Sequence, residues 1–74
     1  MQTITFTCVP PSRDTYLDMV SGAAEDVLAL LETAEWAKRV VGTPAKVRAA
    51  GVPHSVDIVP YTRKGVRITI TSGE

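Results

Sequence analysis

Residues 2–9 alternate between apolar and polar positions. Ile4, Phe6 and Cys8 fall on one side, Thr3, Thr5 and Thr7 on the other. A period of two built on β-branched polar residues predicts a half-buried strand. Pro10 and Pro11 end it, because neither has an N–H to donate to a ladder. The period then changes. Leu17, Val20, Ala24, Val27, Leu28, Leu31, Ala34 and Val41 recur at helical spacing, which predicts one long helix over about 14–41 with a wide apolar stripe. Ser12 or Asp14 caps its start, Gly42 supplies a left-handed stop, and Pro44 follows. Acids near its start and Lys38-Arg39 in its last turn complement the helix dipole. Such a helix would run ~40 Å at 1.5 Å per residue, whereas a strand over 2–9 reaches only ~27 Å. Either a break near Ser21-Gly22, where Ser21 caps a second segment, or an overhang beyond the sheet is therefore expected.

Thr43-Pro44 reads as an N-cap with proline at the first helical position. It starts a short helical turn over 45–50 that stops at Gly51. Residues 55–61 and 66–72 then form a hairpin around Thr62-Arg63-Lys64-Gly65, where Gly65 suits the positive-φ position of a type I turn with a bulge. Val66, Ile68 and Ile70 mark the core face. A plain two-residue turn would put Asp57 on that face. One extra residue brings Val56 and Ile58 inward instead, because a one-residue slip flips every side chain. Pro60 marks the middle strand as an edge. The expected fold is a two-layer α+β domain, β-α-β-β, spanning 1–74 as a single domain. Its sheet is three-stranded, antiparallel or mixed, in the order 1-3-2, with one long helix on one face and a short helical turn before the hairpin. The other sheet face is open and displays Thr3, Thr5, Thr7, Val59, Tyr61, Arg67, Thr69 and Thr71.

This order of elements resembles, loosely, a KH RNA-binding core. The Gly-x-x-Gly loop of that family would fall at Gly42-Thr43-Pro44-Ala45, with Ala45 in place of the second glycine. The stretch 37–73 resembles small head–tail joining proteins of tailed phages, which also run from a helix through a proline-containing basic connection into a hairpin. Their Thr-Gly pair and C-terminal aromatic segment have no counterpart here. The first resemblance implies RNA binding and the second virion assembly. Neither assigns a role to a particular residue.

Composition narrows the classes. The chain has 74 residues, 45% of them hydrophobic and 22% charged, which excludes disorder by composition. No stretch approaches the ~18 apolar residues of a membrane span. No basic region followed by an apolar block opens the chain, so a cytoplasmic location is expected (host cytoplasm if the chain is phage-encoded). The charges balance, eight Lys+Arg against eight Asp+Glu, but they are segregated. Residues 1–37 hold Arg13 against Asp14, Asp18, Glu25, Asp26, Glu32 and Glu35, a net of −5. Residues 38–74 hold Lys38, Arg39, Lys46, Arg48, Arg63, Lys64 and Arg67 against Asp57 and Glu74, a net of +5. Such polarity acts on partners and association rates.

Catalytic material is sparse. His54 is the only histidine and reads as a solvated loop residue. Cys8 is the only cysteine and faces inward, away from the electropositive, exposed setting of reactive thiols. Neither nucleates a metal site without further ligands. Glu25-Asp26 and Glu32/Glu35 read as a solvated helix face. No phosphate loop is present, and no cofactor is expected. The expected role is non-enzymatic: a small protein-interaction or assembly module, acidic on its helix and basic on its hairpin, with a phage or mobile-element structural or accessory protein as one form of it. Its partner would be a protein or a second copy, with no membrane. The partner-binding candidates are Trp36, Glu32 and Arg39, read as lying on one polar side of the helix, and Tyr61, Val59 and Arg67 on the open sheet face. Trp36 reads equally well as a cover for the edge of the core. The alternative is nucleic-acid binding through Arg63, Lys64, Arg67, Lys46 and Arg48, which the near-neutral pI of about 6.6 weakens.

Overall fold

The alternating N-terminal segment forms the first strand, β1 (Gln2–Cys8), and six further elements follow: α1 (Arg13–Ser21), α2 (Ala24–Thr33), β2 (Ala37–Val41), α3 (Pro44–Ala49), β3 (Pro53–Thr62) and β4 (Gly65–Ser72). The computed structural model describes residues 1–62 and 65–73, without the side chains of Tyr61 and Thr62. The sheet is four-stranded in the order β2-β1-β4-β3, and every neighbouring pair is antiparallel. The expectation of a three-stranded sheet under one long helix is therefore corrected. The sub-order β1-β4-β3 stands, but an extra strand lies outside β1 and the helical region is divided into short helices.

The division has local causes. Ser12 caps α1, its hydroxyl accepting from the Thr15 N–H at 3.2 Å. The helix stops at Gly22, where a Cβ would sit 2.8 Å from the Asp18 carbonyl oxygen. The break falls where the length mismatch placed it. Ser21, however, does not cap the second segment. Its hydroxyl donates back to the Leu17 carbonyl at 2.8 Å, and extended Ala23 holds the N-cap position of α2 without a side-chain bond. Helix α2 ends at Thr33, whose hydroxyl bonds back to the Ala29 and Leu30 carbonyls, a habit of Ser and Thr that competes with helix continuation.

Residues 37–41 then pair with β1 instead of continuing the helix. Cys8 lies opposite Ala37, Thr7 opposite Lys38, Phe6 opposite Arg39 and Thr5 opposite Val41, with Val40 as an extra residue at a bulge. Without this strand β1 would present a row of unpaired N–H and C=O groups. The β-branched pair Val40-Val41 suits the strand. Gly42 is left-handed as expected, at φ +84°, but it ends a strand and not a helix. Thr43 caps α3, accepting from the Lys46 N–H at 3.3 Å, with Pro44 in the first turn.

The hairpin register is the expected one. Val56 pairs with Ile70, Ile58 with Ile68 and Asp57 with Thr69. The extra residue falls between Pro60 and Thr62, and Thr62 pairs with Gly65. Arg63 and Lys64, the centre of the expected turn, lie outside the described residues.

One face of the sheet carries the core. Ile4, Phe6 and Cys8 of β1 and Val66, Ile68 and Ile70 of β4 meet Met19, Ala24, Val27, Leu28, Leu31 and Val47 from the helices, with Val56 and Ile58 packed at the margin. Helix α2 lies on β3 and β4, and α3 on β1 and β4. Helix α1 is less committed. Met19 is its one buried residue and Tyr16 is half-buried, while Leu17 and Val20, expected in the apolar stripe, are 47% and 53% exposed. Gly22 ends α1 before α2 begins, so the two helices bury separate sets of residues, Met19 on α1 and Ala24, Val27, Leu28 and Leu31 on α2.

Candidate interaction surfaces

The strand register arranges the open sheet face in rows, because residues directly opposite in antiparallel strands share a face. One row runs Lys38, Thr7, Arg67, Val59 across β2, β1, β4 and β3. The next runs Val41, Thr5, Thr69, Asp57, and a third Thr3, Thr71, Ser55. Thr5 and Thr69 share a hydroxyl hydrogen bond of 3.3 Å. The middle of this face is therefore half-exposed threonine, a surface that an antiparallel sheet can leave in water. Val59 and Arg67 lie on it as expected and adjoin one another. The Tyr61 side chain lies outside the described residues.

A different surface forms on the helix side of β2. The end of α2, the turn after it, β2 and the start of α3 enclose a shallow groove of about 290 Å³, lined by Phe6, Leu31, Glu32, Ala34, Ala37, Arg39 and Pro44. Arg39 reaches this side because it pairs with inward-facing Phe6. The guanidinium of Arg48, on α3, donates to the Glu32 carboxylate. The acid of the groove is thus already matched, and the charge that remains on its rim is that of Arg39. Lys38 stands on the same edge strand, turned to the open face.

Trp36, Glu32 and Arg39 do not share a helix side. Trp36 sits in the turn before β2, half-buried against the core. Glu32 is on α2 and Arg39 on β2, and the groove brings these two together. The proposed nucleic-acid residues are not gathered. Lys46 and Arg48 lie on α3, in the helix layer, and Arg67 on the opposite face of the sheet. Lys46 borders a separate shallow pocket with Gln2, Ala49 and Ala50. Arg63 and Lys64 lie outside the described residues. The sequence missed the apolar floor of the groove, since Phe6, Leu31 and Ala37 read as ordinary core or helix positions.

The candidate chemical groups have structural surroundings. Cys8 is 5% exposed, and burial pushes its thiol above the ordinary value. A ring nitrogen of His54 hydrogen-bonds the Gly73 carbonyl at 2.7 Å, tying the start of β3 to the residue after β4. Among the described residues no three His, Cys, Asp or Glu side chains converge as a metal site, and no helix is long and apolar enough to cross a membrane.

Fold and surfaces together define a two-layer α+β domain with a threonine-lined open face and a basic-rimmed groove beside an edge strand. The chain matches no protein-family model, and no curated protein or solved structure matches it either.

Proposed function

We propose that the protein is a non-catalytic interaction module that docks an acidic, partly apolar protein surface against the groove beside β2. The observation that carries this reading is the placement of Arg39 beside half-buried Ala37 and Pro44, above the nearly closed Phe6 and Leu31 (3% and 1% exposed), with Glu32 neutralised by Arg48. A groove of this kind takes an aliphatic anchor, and the guanidinium selects an acid beside it. Its volume is at the lower edge of small-ligand pockets, ~300–1,000 Å³, and its open shape suits a side chain from another protein better than an enclosed metabolite.

Strand addition at the sheet edges has less support. The β2 edge is bulged at Val40 and carries Lys38 and Arg39, while the β3 edge carries Pro53 and Pro60. All of these are devices that blunt edge pairing. Nucleic-acid binding also has less support. The described bases are divided between the two layers, and threonines fill the centre of the open face where stacking rings would be needed.

The test is a ¹⁵N–¹H NMR titration with a synthetic amphipathic helix of leucine and glutamate, and in parallel with a single-stranded oligonucleotide. Peptide-induced shifts centred on Leu31, Ala34, Ala37 and Arg39, lost in Arg39→Glu, are expected. Shifts confined to the oligonucleotide arm, or none near the groove, would overturn the reading.

A further inference from the structure

We infer that the acidic surface this groove receives is α1 of a second copy of the same chain. The inference rests on the docking reading above and names its partner. Helix α1 has the chemistry the groove selects. Asp14, Leu17, Asp18 and Ser21 are spaced i, i+3, i+4 and i+7, so they share one face of the helix. That face lies opposite Met19, the residue that anchors α1 to the core. Leu17 is 47% exposed with both aspartates on one side of it, and Val20, at 53%, lies with exposed Arg13 on the other. An aliphatic side chain edged by two carboxylates is the complement of a shallow groove rimmed by an arginine. The chain holds both halves of the contact on separate surfaces, since no residue of α1 lines the groove.

The symmetry follows. Helix α1 of one copy meets the groove of the next, so the contact is heterologous and leaves a free α1 at one end and a free groove at the other. Two-fold pairing of β2 with β2 is disfavoured, because it would set the Lys38-Arg39 pairs against each other across a bulged edge. A stable interface buries ~800 Å² per partner, about a sixth of the 4785 Å² this chain exposes. One nine-residue helix in a shallow groove falls short of that area. The association is therefore weak, dependent on concentration, and weakened further by salt, which screens its charge pairs.

Sedimentation velocity across a concentration series at low and high salt provides the test, with three variants: Asp14→Lys/Asp18→Lys, Lys38→Glu/Arg39→Glu, and the milder Leu17→Ala. All the substituted residues are exposed, and circular dichroism checks that each variant is folded. Wild type should grow beyond a dimer with concentration at low salt and revert at high salt. Each variant should dissociate roughly tenfold more readily or worse. The decisive arm mixes the two charge-reversed variants. Each retains the half the other lacks, and the two reversed halves are themselves opposite in charge, so the mixture should regain the association that neither variant shows alone. A dimer in each variant alone, or self-association that no variant weakens, would place the contact elsewhere and overturn the inference. A monomer at every concentration would also overturn it. If the leucine–glutamate helix still shifts the groove in that monomer, the docking reading stands and only the second-copy partner fails. If it does not, both fail.

Discussion

The Ser72 hydroxyl donates to the Val47 carbonyl, and both residues are fully buried. The bond joins the last residue of the central strand β4 to α3. A carbonyl in the last turn of a helix has no intrahelical partner, and Val47 is fully buried. Ser72→Ala should therefore leave a buried acceptor unsatisfied and cost about 1–3 kcal/mol. In a domain of this size each kcal/mol lowers the melting temperature by roughly 4–8 °C. Thermal unfolding followed by the fluorescence of Trp36, the only tryptophan, measures it. An unchanged melting temperature would mean that the bond contributes nothing to holding α3 on the sheet.

Gly42 and Gly51 separate two costs that are often confounded. Both have positive φ, +84° and +136°. A Cβ at Gly42 would lie 2.3 Å from the Thr3 carbonyl oxygen and 3.0 Å from the Ile4 Cα, whereas at Gly51 the nearest atom is 3.8 Å away. Gly51→Ala should cost only backbone strain, about 1–3 kcal/mol. Gly42→Ala adds a collision with the backbone of β1 and should cost clearly more, to the point of displacing β2 from the sheet edge. Urea unfolding of the two variants orders them. Equal destabilisation would show that the approach of Gly42 to β1 is not tight.

The Glu32–Arg48 pair links α2 to α3 at the groove, with side chains 26% and 43% exposed. Solvent screens a pair of that exposure, so its coupling should stay within about 1 kcal/mol. A double-mutant cycle of Glu32→Gln and Arg48→Gln measures it directly. Its larger effect should be on binding. Glu32→Gln frees the Arg48 charge beside Arg39, so an acidic partner should bind more tightly than to wild type. Weaker binding to this variant would mean that the carboxylate itself contacts the partner.

How much of this was legible follows from what each residue had to satisfy. β1 and the hairpin were readable because one face of each is buried, and burial imposes a period of two. Asp57, in particular, could be placed outside from the register alone. β2 was not readable. Its residues are mostly exposed, so no alternation marks it, and Lys38-Arg39 fit a helix C-terminus equally well by charge. Only the demand of β1 for a partner decides the matter, and that is a tertiary fact. The same misreading affected the site. Helical spacing makes Glu32 and Arg39, seven residues apart, neighbours on one helix side. They do share a surface, but through a strand that folds back beside the end of α2. Periodicity puts Leu17 and Val20 in the core stripe, because it runs one stripe through the break at Gly22, whereas α1 is a separate helix that buries Met19 instead.

Cys8 supplies a prediction whose sign can be worked out. Its side chain is 5% exposed on the core face, opposite Ala37 and Val66. Burial opposes the thiolate and raises the thiol above its ordinary 9.0. Below the unfolded value both states keep the proton, and the shift leaves stability unaffected. Above it the unfolded chain gives up its proton while the folded chain retains it. The unfolded state then binds fewer protons, so stability falls with rising pH until the folded thiol also ionises. Cys8→Ala removes this dependence while leaving the tyrosine and lysine titrations common to both proteins. The difference in urea stability between wild type and Cys8→Ala should therefore shift against wild type as pH rises beyond about 9. The thiolate is also the reactive species, so iodoacetamide should modify the folded chain far more slowly than the unfolded one at the same pH. Equal rates, or a stability difference independent of pH, would show that the thiol reaches solvent and that the β1–β2 edge opens readily in the native state.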